Sequence, residues 1–115
     1  MVWRSGTALR SDEMSVSLQP GEGAEIKADM QQGQHLVFSW TAHGGVVSFD
    51  MHGERAGAAN DDFTSYWKGR DQHEAHGAFE APFTGRHGWY WRNRGDKVLV
   101  VKVRTSGFYE RLYRP

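Results

Sequence analysis

Short runs of alternating hydrophobic and polar residues recur along the chain from Met14 onward. In the clearest run, residues 24–30, apolar and charged side chains alternate at every position. A period of two places side chains on opposite faces of a β-strand, whereas a helix would scatter them around its circumference. Similar runs return at spacings of about 8–12 residues, separated by turn signals such as Pro20-Gly21 and Gly44-Gly45. The pattern predicts an all-β protein.

Several runs also predict where strands lie and how they pair. Residues 36–41 and 47–51 flank Gly44-Gly45, a strong hairpin signal, and are predicted to pair with each other. Residues 97–105 carry valines on both faces and predict a central strand covered on both sides. Residues 53–62 predict a loop, and residues 63–68 predict a short strand or a turn of helix. We expect about eight short strands in an antiparallel, jelly-roll-like β-sandwich.

The domain organisation follows from length and pattern. A chain of 115 residues matches one domain of ordinary size. Residues 1–12 show no period and are expected to form a flexible N-terminal arm, and residues 13–115 are expected to form a single sandwich domain. Five Trp, six Phe and four Tyr supply bulk for its core, and 14 Gly indicate many turns.

Composition and motifs exclude several classes of function. The 14 basic and 14 acidic residues cancel, so no global field draws the chain to nucleic acid or an anionic membrane. The absence of cysteine excludes disulfides, thiolate metal sites and cysteine nucleophiles. The sequence contains no GxSxG, HExxH or glycine-rich phosphate-binding motif. We therefore expect that the chain is not an enzyme.

A metal site is the sharpest chemical hypothesis, because the chain has six histidines. Asp50, His52 and Glu54 occupy alternate positions, so on a strand all three project from one face. Imidazole and carboxylate ligands so placed suit a Zn or Cu ion. A turn that starts at Gly53 would break this geometry. The alternative is a solvated strand face, with His52 hydrogen-bonded to His87 or to a nearby arginine.

Three other histidines are further candidate ligands. His73 and His76 lie three residues apart in a polar segment, where they either chelate an ion or are simply exposed loop histidines. His87 precedes the tryptophan-rich run 89–91. Its alternative role is to support the fold through a hydrogen bond to a backbone carbonyl or a carboxylate.

The aromatic residues predict an interaction surface. Tyr90, Arg92 and Arg94 share one face of a predicted strand, and Tyr and Arg are enriched in protein interfaces. Tyr66 and Trp67 join this surface if their segment folds back. Cross-strand aromatic pairing that only stabilises the sheet is one alternative. A carbohydrate-binding groove, with Trp and Tyr beside acidic or amide groups, is another.

The sequence resembles two families, one over a short segment and the other over most of the chain. The segment GWYWRNRGDKV, residues 88–98, resembles the end of a GOLD domain, the β-sandwich of the emp24/p24 cargo-receptor family. More closely, residues 12–115 resemble the soluble domain of small bacterial "transmembrane anchor proteins". The similarity is carried by SDEMSVSLQPGEGAEIKADM, FSW, GGVVSFDMHGE, APFTGRHGWYWRNRGD and VRTSGFYE.

This resemblance implies a native chain with an N-terminal membrane helix and a domain on the periplasmic side of a bacterial inner membrane. Together with the absence of catalytic motifs, it leads us to expect a non-catalytic, membrane-tethered protein-interaction module without a cofactor, whose partner is membrane-associated. The alternative function is a periplasmic domain that binds a divalent metal. The chain is expected to be a monomer if charged residues protect its sheet edges, or a homodimer if an open edge pairs two copies.

Overall fold

The computed structural model describes residues 1–59 and 62–115. Within these residues all regular secondary structure is β, which confirms the all-β prediction. The nine strands are β1 (Arg10–Leu18), β2 (Gly23–Met30), β3 (His35–His43), β4 (Val47–Arg55), β5 (Thr64–Gln72), β6 (Glu74–Glu80), β7 (Gly85–Asn93), β8 (Leu99–Gly107) and β9 (Arg111–Tyr113). No helix long and apolar enough to cross a membrane occurs in this described part of the chain.

The strands form two antiparallel sheets that pack as a sandwich. The four-stranded sheet has the order β1-β8-β3-β6, and the five-stranded sheet has the order β5-β4-β7-β2-β9. Most neighbouring strands are distant in sequence, as in a jelly roll. The predicted antiparallel sandwich is therefore confirmed.

The core between the sheets is built on aromatic side chains. Trp40 of β3 and Trp89 and Trp91 of β7 are at most 1% exposed. Trp40 meets Trp91 edge to face across the two sheets, with ring centroids 5.9 Å apart. Each buried side chain of this size contributes roughly 1.5–3 kcal/mol or more to folding. The inward positions of the period-two runs thus become the core, as the pattern predicts.

The predicted hairpin between β3 and β4 is wrong. β3 lies between β8 and β6 in one sheet, whereas β4 lies between β5 and β7 in the other. Gly44, with φ 100°, turns the chain from one sheet to the other. As a result Trp40 and Phe49 meet across the core, with ring centroids 5.1 Å apart. The Gly-Gly pair signals a turn, but contacts with distant strands decide the pairing.

The last long strand is central but covered on one face only. β8 lies between β1 and β3, so the predicted central position is confirmed. On its other face Val100 is only partly buried, and Val98, just before the strand, is 50% exposed. The prediction of cover on both sides is therefore wrong, because the outer face of the four-stranded sheet carries no further layer in the described residues.

Three segment boundaries also differ from expectation. β1 begins at Arg10, so residues 10–12 of the predicted arm pair with β8. β4 continues to Arg55, so the predicted loop 53–62 starts later, and its residues Asn60 and Asp61 lie outside the described residues. Residues 63–68 lie mostly in a strand, and the polar segment that follows belongs mainly to β5 and β6.

Candidate functional site

The outer face of the five-stranded sheet holds a buried group of charged side chains. Lys27 on β2 pairs with Gly88 on β7, and Gly88 in turn pairs with His52 on β4. Because Gly88 has no side chain, Lys27 and His52 approach each other above it. Lys27 is 0% exposed and His52 is 5% exposed, although both point away from the core. We call Glu25, Lys27, His52, Glu54 and Arg86 the Lys27 cluster.

Short polar contacts connect the members of the Lys27 cluster. The Nζ atom of Lys27 lies 2.6 Å from His52 Nε2 and 3.0 Å from Glu54 Oε1. The Nη2 atom of Arg86 lies 2.6 Å from the other carboxylate oxygen, Oε2 of Glu54. Glu25 is looser, with Oε2 3.9 Å from Lys27 Nζ. Each oxygen of Glu54 therefore has its own cation.

The hydrogen bonds of His52 define its tautomer. Its Nδ1 lies 3.1 Å from the backbone carbonyl oxygen of Asp50, which can only accept a hydrogen bond. The proton therefore resides on Nδ1, and Nε2 offers a lone pair. The Lys27 ammonium, which can only donate, fills that lone pair. The ring of Phe63 covers His52, with centroids 5.0 Å apart.

The carboxylate of Glu54 is held in its charged form. Burial acts to raise its pKa, but the hydrogen bond and positive charge of Lys27, together with Arg86, outweigh burial and lower the pKa of Glu54. The cluster is thus a compact arrangement of paired charges. Removing one partner of such a buried pair strongly destabilises the folded protein, because the other charge is left buried without compensation.

The predicted metal ligands are only partly brought together. His52 and Glu54 converge, and the third donor near them is Glu25, which sequence reasoning missed. Asp50 acts mainly through its backbone carbonyl, while its carboxylate accepts a hydrogen bond from Ser65 at 3.1 Å. β4 continues through Gly53, so no turn separates these side chains. The alternative of a solvated strand face is wrong for His52 and Glu54, because both are buried.

The other three candidate histidines lie apart from the Lys27 cluster. His87 faces the core, where Nε2 donates to the carbonyl of Phe83 at 2.9 Å and Nδ1 accepts from Tyr66 Oη at 3.0 Å. Desolvation by burial lowers the pKa of His87. His76 is exposed on β6 of the other sheet, and His73 is exposed between β5 and β6.

The structure divides the predicted interaction surface into two parts. Tyr90 and Arg92 lie on the outer face of β7, and Arg94 follows that strand, with its Nε donating to Ser48 Oγ at 3.2 Å. Tyr66 instead packs inward against Phe79 and His87, and burial raises its pKa to about 12. Trp67, which is 44% exposed, packs on the core residue Phe49.

Sequence reasoning also missed Lys27 and Arg86 as site residues. The period-two pattern puts Lys27 on the polar face of β2, which predicts exposure, yet the side chain is fully buried. One signal was available. Gly88 is an isolated glycine among large residues in a strand, and such a glycine often marks a close approach of neighbouring groups.

Comparison with known proteins shows the fold and no family. No protein-family model and no curated protein matches the chain. PliG from Aeromonas hydrophila, a periplasmic inhibitor of g-type lysozyme, is 11% identical with a TM-score of 0.58, over 93% of this chain and 92% of that chain. The mitogen of Yersinia pseudotuberculosis is 9% identical with a TM-score of 0.57, over 90% of both chains.

An enzyme shares the same fold. An oxalate oxidase is 10% identical with a TM-score of 0.51, and the match covers 89% of this chain and 44% of that one. The fold therefore hosts an inhibitor, a mitogen and an enzyme, and it does not by itself assign a function.

Proposed function

We propose that the chain is a non-catalytic protein-interaction module whose binding surface is the outer face of the five-stranded sheet. The observation that supports this proposal is the arrangement of Tyr and Arg side chains on that face around the Lys27 cluster. Tyr90, Arg92 and Arg94 lie toward one end. Tyr and Arg are the residues that most often dominate the binding energy of protein interfaces.

The other end of the face has the same chemistry. The guanidinium of Arg111 lies 4.0 Å from the ring centroid of Tyr113, and its Nε is 2.7 Å from Asp29 Oδ2. Tyr113 also donates to Asp29 Oδ1 at 2.8 Å. These contacts hold the two side chains in place, which reduces the entropy that binding would otherwise cost.

The Lys27 cluster supports a recognition role more readily than a stabilising one. Burying paired charges is often no better for stability than packing apolar side chains of similar volume. The buried charge of Lys27 does not contribute to solubility either, because it does not contact water. The partly exposed members of the cluster are Arg86 and Glu25, whose side chains are 41% and 36% exposed. The buried members hold these two side chains in place, which favours a partner of complementary charge over others.

A serine, a histidine and a glutamate lie together on the four-stranded sheet, and their exposure supports the non-catalytic part of the proposal. Ser39 Oγ lies 2.8 Å from His76 Nδ1, and His76 Nε2 lies 3.6 Å from a Glu74 carboxylate oxygen. The side chains of His76 and Glu74 are 58% and 51% exposed. Such a site lacks the water-excluded environment in which activated nucleophiles and oxyanion donors are effective.

The resemblance to transmembrane anchor proteins supports a second part of the proposal, that the natural protein is tethered to a membrane and places this domain in the periplasm. Fractionation of a bacterium that expresses the natural gene tests it. We expect the domain to sediment with inner membranes and to be cut by protease added to spheroplasts. Recovery in the cytosolic fraction would contradict this placement.

Affinity capture with matched variants tests the binding surface. Immobilised wild-type chain is compared with an Arg92→Glu/Arg94→Glu variant and with Arg104→Glu, an exposed arginine on the four-stranded sheet. A captured protein is then purified and titrated by calorimetry. We expect the double reversal to weaken binding about 30-fold or more, and Arg104→Glu to leave it unchanged.

Two results would contradict the proposed surface. One is a partner that binds the double-reversal variant as tightly as the wild type. The other is a partner that loses affinity equally with Arg104→Glu, which would place the interface on the four-stranded sheet.

The alternative function, a Zn- or Cu-binding domain, meets an obstacle in the same geometry. Glu25, His52 and Glu54 offer ligand atoms that all lie within 4.8 Å of one another. The Lys27 ammonium lies among them, 2.6 Å from the imidazole and 3.0 Å from the nearer carboxylate. Any metal would have to displace this cation, so protein interaction is the function that the geometry supports best.

A further inference from the structure

We infer that Glu25, His52 and Glu54 form a divalent-cation site in which the ammonium group of Lys27 takes the place of the ion. The inference stands independently of the proposed interaction function. It concerns what the Lys27 cluster would bind if that ammonium were absent, and why the wild-type chain is closed to such an ion.

The three donors already have nearly the spacing of a metal site. His52 Nε2 lies 3.6 Å from Glu25 Oε1 and 3.9 Å from Glu54 Oε1. A tetrahedral Zn²⁺ ion with bonds of about 2.0–2.2 Å separates its ligand atoms by roughly 3.3 Å. The distances from the histidine to the two carboxylates thus exceed this spacing by only a few tenths of an ångström. The two carboxylates lie within 4.8 Å of each other and would have to close around the ion. One imidazole and two carboxylates form a donor set that suits a divalent metal.

The surrounding contacts orient these donors as they would around a metal. A histidine that binds a metal usually donates its other N–H to a carbonyl or carboxylate. His52 does this, since Nδ1–H donates to the Asp50 carbonyl at 3.1 Å, leaving the Nε2 lone pair available. Arg86 occupies Oε2 of Glu54 at 2.6 Å, which leaves Oε1 directed toward Lys27.

Lys27 lies within 4 Å of all three donors and makes close contact with two of them. Its Nζ lies 2.6 Å from His52 Nε2, 3.0 Å from Glu54 Oε1 and 3.9 Å from Glu25 Oε2. The ammonium supplies positive charge between two carboxylates and donates to the imidazole lone pair. Because Lys27 is 0% exposed, an incoming ion can enter only after this side chain has left its partners.

Removal of the ammonium should therefore open the site. Zn²⁺ is titrated by calorimetry at neutral pH into wild type, Lys27→Ala and the double variant Lys27→Ala/His52→Ala. We expect Lys27→Ala to bind one Zn²⁺ with a Kd on the order of 100-fold lower than that of the wild type, because a buried ammonium no longer has to be displaced. Zn²⁺ should also raise the unfolding temperature of Lys27→Ala, and the double variant should lose both effects.

A second variant keeps the test decisive if Lys27→Ala does not fold. Lys27→Met retains the length of the side chain and its packing while removing the charge. If both variants are unfolded without metal, addition of Zn²⁺ should restore the β-sheet circular dichroism, because the ion replaces the missing cation.

Four results would overturn the inference. The first is tight, His52-dependent Zn²⁺ binding by the wild type, which would mean that the ammonium does not close the site. The second is a folded Lys27→Ala that binds Zn²⁺ no better than wild type. The third is binding that survives His52→Ala, which would assign it to exposed histidines. The fourth is a pair of unfolded variants whose circular dichroism Zn²⁺ leaves unchanged.

Discussion

Glu54 connects the two cations of the Lys27 cluster, because one carboxylate oxygen contacts Lys27 and the other contacts Arg86. Loss of its charge would leave the fully buried Lys27 ammonium without its closest carboxylate. We expect Glu54→Gln to lower the free energy of unfolding by about 3 kcal/mol, as measured by urea denaturation.

Glu13 provides the matched control for Glu54. It also contacts two cations, Arg104 at 3.1 Å and Lys102 at 3.6 Å, but its side chain is 45% exposed. Glu13→Gln should change the free energy of unfolding by less than about 1 kcal/mol, because water screens exposed pairs. Equal losses in the two variants would show that burial does not strengthen the Glu54 pairs.

The lowered pKa of His87 predicts how the free energy of unfolding depends on pH near neutrality. Burial lowers its pKa in the folded chain below the ordinary value of 6.5. The unfolded chain therefore binds a proton that the folded chain resists once the pH falls below 6.5. Stability is fully present above that pH and is lost as the pH falls toward the lowered pKa. We expect the free energy of unfolding in urea to fall as the pH is lowered from neutrality to below 6.5.

Two variants isolate this effect. His87→Gln should flatten the pH profile in that window, whereas His76→Gln, at an exposed position, should leave the wild-type profile intact. The carboxylate of Glu54 affects stability in a lower pH range than His87 does. Its pKa lies below the ordinary 4.5, so its contribution is present above that pH and is lost only as the pH falls further. A profile unchanged by His87→Gln would contradict the assignment.

Among the elements, strand β7 is the one that joins the core to the outer face. Its odd positions carry Trp89 and Trp91 into the core, and Gly88 between β2 and β4 admits Lys27 and His52 on the opposite side. A Cβ atom on Gly88 would overlap the carbonyl oxygen of Ile26. The glycine is therefore required by the close approach of β2 to β7.

Gly88→Ala is expected to force β2 and β7 apart and to lower the free energy of unfolding by about 1–3 kcal/mol. The measurement is the urea midpoint. Gly6→Ala serves as the control, because a Cβ on Gly6 meets nothing within 4 Å. An unchanged midpoint for Gly88→Ala would show that the strands adjust without cost.

For the whole molecule, one core spanning both sheets predicts a single unfolding transition. Trp40, Trp89 and Trp91 belong to the same buried cluster, which draws side chains from both sheets. We expect tryptophan fluorescence, which reports packing between the sheets, and far-UV circular dichroism, which reports the strands, to give coincident urea transitions. Separate transitions would show that one sheet persists without the other.

The topology should also make folding slow for a chain of this size. Neighbours in the sheets, such as β1 and β8 or β2 and β7, are far apart in sequence. We expect stopped-flow refolding times in the range of milliseconds to seconds, which is typical of β-sandwiches.

The candidate site shows where prediction from sequence reached its limit. The alternation along β4 places His52 and Glu54 on one face, and the structure brings them together as that pattern predicts. Glu25, Lys27 and Arg86 could not be assigned to the same site. No local sequence pattern indicates that β7 lies between β2 and β4. The prediction that Lys27 is exposed was wrong for the same reason.

The sequence by itself determined the fold class and the inward-facing residues of the clearly alternating runs, because alternation of apolar and polar side chains is a local property of each strand. It also located turns marked by glycine, since pairs such as Gly44-Gly45 favour a turn whichever strand the chain joins afterwards. Only the tertiary structure decided that β3 and β4 belong to different sheets and that a lysine is buried on an outward face. Both outcomes depend on contacts between residues distant along the chain, and no local pattern encodes which strands become neighbours.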